Sequence, residues 1–304
     1  MSELRYPNVI LATACIPWTA NLDFDVASFC TEVQSLIDRG VRYIYLFGTA
    51  GEGYAVSDRQ FGEITSAFAR EMSKPDLYPM VGLISLSMST MTERLQFAYA
   101  LGIRDFMFAL PSWGMLQDDE LSCFLHQLCD PYPDCRFVHY NLMRSKRLLS
   151  IGEYERYAGE LPNLAAVKFS TGDPAIIKGL AESACPLRFF LTEQGFAEGS
   201  LQGDFGLLLS VASSRMSQAH RYHQAGLQRD AGTLKTMQQE LGRMVQELIH
   251  CVGNRIDGGY DKIFCKIMNR DFPLRLLPPY QGATDQAFEQ YCRFLSQQLP
   301  HWIE

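Results

Sequence analysis

Two hydrophobic rhythms alternate along this chain. Short, nearly unbroken apolar runs occupy residues 8–14, 41–47, 77–84, 105–110, 136–140, 164–168, 187–192 and 205–210. Runs this short and this uniformly apolar read as strands buried on both faces, as in a parallel sheet. Between them, apolar residues recur every three or four positions, the period of a helix. Val26, Phe29, Val33 and Ile37 mark one such helix over 25–39. Ser57 and Gln60 form a capping box, and Phe61, Ile64, Phe68 and Met72 continue from it. Further helices are predicted over 90–101, 118–129, 151–159, 174–183, 195–202 and 213–225. Gly48 breaks the second strand run and Pro111 ends the fourth.

The pattern gives eight βα units in about 225 residues, which is what an α/β protein of the (β/α)8 TIM-barrel class requires. An open doubly wound sheet is the competing architecture, but no Rossmann glycine fingerprint follows the first strand. Beyond residue 226 only helical patterns remain. Leu234, Met237, Leu241, Met244 and Leu248 form one stripe, and weaker helices cover 257–268 and 285–299. With no linker before them, the expected organisation is a barrel over 1–226 with a C-terminal helical extension, 227–304, packed on it.

Composition narrows the function. The formal charge is −7, which argues against a nucleic-acid surface built on clustered lysine and arginine. No apolar run is long enough to span a bilayer, and residues 1–7 lack an apolar signal core. The nine cysteines are scattered without a CxxC motif and are read as reduced residues of a cytoplasmic protein. His220 and His223 lie three apart on a predicted helix, but without a third ligand nearby no metal site is assigned.

Barrel chemistry sits at the C-terminal ends of the strands. Strand 6 runs through Leu164-Ala165-Ala166-Val167 into Lys168. A dry site disfavours the ammonium and lowers its pKa, which leaves a lone pair able to attack a carbonyl carbon. A lysine snorkelling to the rim of the sheet is the plainer alternative. Tyr140 lies 28 residues earlier, one βα unit back, so the two side chains share one barrel mouth. A phenol beside that amine suits proton transfer; otherwise it is a packed aromatic. Gly48-Thr49-Ala50-Gly51 is a turn whose N–H groups can hold a carboxylate, or simply a tight turn. Glu52 either caps the following helix or holds the loop.

These stretches together resemble the dihydrodipicolinate synthase / N-acetylneuraminate lyase family of class I aldolases. The likeness covers nearly the whole chain. It rests on Gly48-Thr49-Ala50-Gly51-Glu52-Gly53-Tyr54, Tyr140-Asn141, Val167 through Asp173, and the extra C-terminal helices. It implies a Schiff base between Lys168 and a 2-oxo acid such as pyruvate, with an aldehyde as the second substrate. Tyr140 would relay protons with Thr49, and the backbone at Ala50 and Gly51 would hold the substrate carboxylate. No metal or organic cofactor is implied, and the assembly would be a homo-oligomer, a dimer or a tetramer. Trp113, Arg144, Thr192 and Ser210, with Ser112 and Glu193, fall where the family selects its substrate, and Trp113 is expected to narrow the mouth.

The chain departs from the family in three places. Ala50 stands where a second hydroxyl residue is usual. Trp113 replaces a relay tyrosine that reaches across the dimer. Arg144 comes one position early, with no proline before it. These departures point away from dihydrodipicolinate synthesis itself. They leave three readings open: a lyase or aldolase on a 2-oxo acid, a sugar-acid dehydratase using the same imine, and a catalytically retired barrel that binds a 2-oxo acid.

Overall fold

The computed structural model describes residues 4–303. Residues 1–3, part of the N-terminal stretch read above for a signal core, and residue 304 lie outside them. Eight parallel strands close into a barrel in sequence order: β1 (Ile10–Thr13), β2 (Tyr43–Leu46), β3 (Tyr78–Gly82), β4 (Asp105–Phe108), β5 (Arg136–Asn141), β6 (Leu164–Phe169), β7 (Arg188–Thr192) and β8 (Gly206–Leu208). β8 closes on β1 through Ile10↔Leu207 and Leu11↔Leu208. The (β/α)8 architecture expected from the alternating rhythms is therefore present.

Helices α1 (Val26–Asp38), α2 (Asp58–Glu71), α3 (Met88–Ala100), α4 (Asp118–Cys129), α5 (Ile151–Glu160), α6 (Pro174–Glu182), α7 (Glu193–Gln202) and α8 (Met216–Leu227) follow the strands in turn. Their starts are chemically marked. Asp25 accepts from Ser28 N, and Ser57 and Ser150 form capping boxes with Gln60 and Glu153, so N–H groups left open by the first turn find partners. α7 begins earlier than its pattern predicts, at Glu193, directly after β7 ends at Thr192. A 3-10 turn, Val211–Ser214, precedes α8.

Two apolar cores result. One fills the space between strands and helices and includes Phe29, Ile64, Phe106 and Leu191. The other fills the barrel itself, with Leu11, Tyr45, Met80, Val138, Tyr140 and Phe190 interleaved. The bottom of the barrel is plugged by Tyr6. Its hydroxyl donates to Asp105 at 2.7 Å, while Arg136 forks onto the same carboxylate at 2.8 and 2.7 Å. A charge-assisted two-point bond of this kind is the strong form of the interaction.

The extension consists of α9 (Ala231–Val252), α10 (Gly258–Met268) and α11 (Asp285–Gln298). The α9 stripe Leu234, Met237, Leu241, Met244 and Leu248 is buried in the same core as the barrel helices. α10 is fastened to the β2–α2 loop by a fully buried ion pair, Lys262 Nζ to Glu52 Oε1 at 2.6 Å. Glu52 thus holds the loop, while the cap of α2 falls to Ser57. Among the described residues no helix is long and apolar enough to cross a membrane.

Candidate active site

The site is built from the last residues of β2, β5 and β6. Lys168 is the register partner of Tyr140 on β5 and of Phe190 on β7. In-register neighbours on a sheet project to the same face, and here that face is the barrel interior. The Lys168 side chain is 4% exposed. Its Nζ lies 3.8 Å from the centroid of the Tyr140 ring and donates to the hydroxyl of Tyr45, on β2, at 3.0 Å. The Tyr140 hydroxyl shares a hydrogen bond with Thr49 Oγ1 at 3.3 Å.

The β2–α2 loop that presents Thr49 and Ala50 turns sharply. Phe47 and Glu52 take positive φ values of 54° and 53°. Glycine is required at both ends of the turn. A Cβ on Gly48 would fall 2.6 Å from the Tyr45 ring, and one on Gly53 would collide with the Phe47 carbonyl. The Glu52 carboxylate holds the turn from behind. It accepts from Trp18 Nε1 at 2.8 Å, Lys262 Nζ at 2.6 Å and Leu277 N at 2.6 Å.

A cavity of about 320 Å³ opens at the mouth. Its floor holds Lys168, Tyr140, Tyr45 and Ala50, and its sides hold Thr192, Glu193, Ser210, Asp257 and Asp261. The outer wall is apolar and comes from α9, through Leu241, Val245, Leu248 and Ile249. A second cavity of about 790 Å³, lined by Thr49, Ser112 and Arg144 among others, lies alongside. The sequence-predicted residues therefore divide. Lys168, Tyr140, Ala50, Thr192 and Ser210 meet in one cavity; Thr49 and Arg144 line its neighbour and touch the first through partners. Arg144 pairs with Asp257 at 3.0 Å. Gly51 stands in neither wall, packed against the backbone of Phe47 and Ala14. Trp113 is 84% exposed and does not narrow the mouth. Lys146 Nζ caps the Trp113 carbonyl, and the ring itself points to solvent.

The electrostatics differ from the expectation for Lys168. Burial works against the ammonium, but the oxygens of Tyr140 and Tyr45 and the Asp257 carboxylate outweigh it. The amine accordingly sits above its ordinary pKa, not below it. The resting group is an ammonium, and it must release a proton before it can attack a carbonyl. Burial raises Tyr45 as well, so the neighbouring phenol is neutral. Burial, with Asp257 beside it, lifts Asp261 to about 7, while the Ser210 hydroxyl donates to it at 2.9 Å and opposes the rise. Burial also raises Glu193, which accepts from Ser210 N at 2.6 Å and Ala212 N at 3.1 Å.

Tyr45 and the pair Asp257 and Asp261 escaped the sequence reading. Tyr45 has a signal in retrospect: inward-pointing residues of a barrel strand alternate, and it shares the parity that fills the interior. Asp261 and Lys262 were visible as adjacent charges on α10 that are buried among its apolar residues Ile263, Phe264 and Ile267, where a charge without a role is costly.

A closed eight-stranded α/β barrel with three added C-terminal helices is the class defined by this architecture. Within that class, solved structures of dihydrodipicolinate synthase and N-acetylneuraminate lyase family members share the fold. A putative dihydrodipicolinate synthetase from Pseudomonas aeruginosa superposes with a TM-score of 0.84 at 20% identity, covering 98% of this chain and 100% of its own. N-acetylneuraminate lyase from Proteus mirabilis gives 0.82 at 17% identity, covering 96% of this chain and 99% of its own. The CdNal protein from Clostridium difficile, solved in complex with mannosamine, gives 0.83 at 12% identity over 95% and 98%. No protein-family model matches the chain, and no curated protein matches it in sequence. The resemblance read from the motifs is thus met by the whole fold.

Proposed function

We propose that this chain is a Schiff-base lyase of the class I aldolase type, acting on a 2-oxo acid such as pyruvate, with an aldehyde as the other product or substrate. The carrying observation is the buried amine of Lys168, set against the Tyr140 ring at 3.8 Å with a cavity open beside it. Attack of the neutral amine on the keto carbon and loss of water give an iminium. That group draws electrons from the adjacent carbon, so a C–C bond one carbon further out can break or form. The 3.3 Å hydrogen bond between Thr49 and Tyr140 supports a role for this pair in passing protons to and from the enamine carbon. The N–H groups of the turn at Ala50 would face the substrate carboxylate, without the second hydroxyl that Ala50 lacks.

Borohydride reduction in the presence of pyruvate, followed by mass spectrometry, is expected to place a stable adduct on Lys168 and none on Lys168→Ala. Absence of an adduct across a panel of 2-oxo acids sinks the reading. One observation favours the retired binder as second reading: Ala50 lines the cavity with no hydroxyl to offer. Pyruvate binding that survives Lys168→Ala would favour it. Trp113, Met115 and Met143 stand exposed on the loops after β4 and β5, which supports a homo-oligomer covering this surface.

A further inference from the structure

The three carboxyl groups at the cavity are not alike. Asp257 is neutralised by Arg144 at 3.0 Å. Glu193 is engaged by two backbone N–H groups. Asp261 is 8% exposed, yet it joins no ion pair among the described residues, and its Oδ1 accepts only from the Ser210 hydroxyl at 2.9 Å. A buried carboxylate outside any ion pair is costly to the fold, and burial of this kind in a cleft is how acid–base groups are tuned. Its position is the second argument. Tyr140, bonded to Thr49, reaches the cavity from β5, whereas Asp261, bonded to Ser210, lines the same cavity from α10 and the segment after β8. A substrate joined to Lys168 through one carbon can therefore meet the Tyr140–Thr49 pair at its inner carbons and the Asp261–Ser210 pair further out.

From this arrangement, and resting on the proposed lyase reading, we infer that Asp261 is the acid–base group for the aldehyde half of the substrate. In cleavage, the Asp261 carboxylate takes the proton of the hydroxyl two carbons beyond the iminium carbon. The C–C bond between that hydroxyl carbon and its inner neighbour breaks. Its electron pair flows to the iminium nitrogen to give the enamine, and the hydroxyl carbon leaves as the aldehyde. In condensation the same carboxyl returns the proton to the aldehyde oxygen. Tyr140 then serves the enamine carbon alone, and water releases the 2-oxo acid from Lys168. A carboxyl that titrates near neutrality is matched to giving and taking one proton in each turnover. The groups facing it are Asp257 just before its own helix, Glu193 from α7, Lys168 from β6, Tyr45 from β2, Ser210 after β8 and, across a small further cavity, Cys15 after β1, Glu32 from α1 and Cys265 from α10.

The test separates the two half-reactions on the intact chain. Exchange of pyruvate methyl protons for deuterium reports iminium and enamine formation. Condensation of pyruvate with glyceraldehyde or mannosamine reports the aldehyde step. Asp261→Asn is expected to keep the borohydride adduct on Lys168 and the deuterium exchange, to lose condensation by 100-fold or more, and to lose the pH limb near 7. Ser210→Ala removes the bond that favours the charged carboxylate, so that limb should move to higher pH while condensation persists. Condensation within threefold of the unsubstituted protein in Asp261→Asn, or an unmoved limb in Ser210→Ala, overturns the inference. So does a protein that exchanges deuterium but condenses neither aldehyde. A protein that forms no adduct at all overturns the lyase reading beneath it, and the inference with it.

Discussion

The amine of Lys168 donates its hydrogen bond to Tyr45, while Tyr140 offers it only a ring face. The first contact is 3.0 Å to the phenol oxygen and the second 3.8 Å to the ring centroid. Two phenols therefore serve one amine in different ways. Tyr45 binds the charge of the resting lysine, and Tyr140 keeps its hydroxyl for Thr49. Gly48 makes this possible, because any side chain there would displace the Tyr45 ring.

Replacing Tyr45 with Phe should ease the release of the Lys168 proton. Burial pulls the amine down, while Tyr140, Tyr45 and Asp257 together hold it up; removing the Tyr45 oxygen, the only one hydrogen-bonded to the amine among the described residues, lets burial pull the pKa part of the way down. Only the neutral amine attacks, and trapping therefore rises with pH. A hydrogen bond to a charged group is worth about 1.5–3 kcal/mol, or about one to two pH units. The rising limb of borohydride trapping with pyruvate should shift to lower pH by that amount in Tyr45→Phe. An unmoved limb would show that the 3.0 Å contact does not govern the amine.

Trp113 can be removed at little cost to the monomer. Its ring is exposed and its one hydrogen bond uses the backbone carbonyl. Trp113→Ser should change unfolding free energy by no more than about 0.5 kcal/mol and leave the Lys168 adduct intact. Trp18 and Trp302 are buried, so at concentrations low enough to dissociate the proposed oligomer the substitution should also abolish most acrylamide quenching of tryptophan fluorescence. Strong protection of Trp113 from the quencher would instead report a covered surface, and its concentration dependence would identify an oligomer.

Much of this architecture was legible in the residues, for definite reasons. Barrel strands are buried on both faces, so each leaves a nearly unbroken apolar run, and the rhythm of eight such runs survives errors at their ends. Lys168 and Tyr140 could be placed together because a spacing of one βα unit puts them on paired strands. What could not be read was the direction of individual side chains. Tyr43 and Tyr45 look equivalent in sequence, yet Tyr43 stacks on Tyr78 at 4.3 Å while Tyr45 reaches the amine. Trp113 follows a strand end but sits on a loop that turns it outward. Asp261 lies almost a hundred residues beyond Lys168 in the helical extension, and no local pattern announces that α10 folds back onto the mouth. The start of α7 was missed because Thr192 passes into Glu193 with no loop residue to mark it.

Acidification should destabilise the protein through His139. This residue is buried on β5. One ring nitrogen, Nδ1, lies 2.7 Å from the Tyr154 hydroxyl, and Nε2 has no hydrogen-bond partner. Burial lowers its pKa to about 3, against 6.5 for an exposed imidazole. The folded state thus keeps His139 neutral while the unfolded chain takes up a proton. Its contribution is fully present above pH 6.5 and is lost as pH falls toward 3, at about 1.4 kcal/mol per pH unit. His223, lowered by burial to about 4, acts in the same sense. Asp261 and Glu32, both raised to about 7 in the fold, pull the other way, so the test is a difference: in urea unfolding, His139→Gln should lose less stability than the parent protein by about 1.4 kcal/mol per pH unit as pH falls from 6.5 to 5. An unchanged slope would mean that the ring is protonated in the fold.

The tie between extension and active loop predicts a coupled loss. Lys262 and Glu52 are both fully buried, and Lys262 Nζ also bonds the Arg275 carbonyl. Burial lowers the Lys262 pKa and the Glu52 carboxylate raises it back in part. Removing one partner leaves the other charge stranded, which costs about 3–5 kcal/mol. Lys262→Met should therefore lose stability on that scale in chemical denaturation. The effect should reach the chemistry as well. Glu52 holds the turn that carries Thr49 and Ala50, and Thr49 orients the Tyr140 hydroxyl. Deuterium exchange at the pyruvate methyl group, which the proposed mechanism routes through Tyr140, should fall more steeply in Lys262→Met than formation of the Lys168 adduct, which that mechanism does not. The double substitution Lys262→Met with Glu52→Gln removes both charges, and it should recover part of the stability lost in the single variant. If both variants keep full exchange, the turn is held by its glycines and Trp18 alone, and the extension has no part in setting the relay.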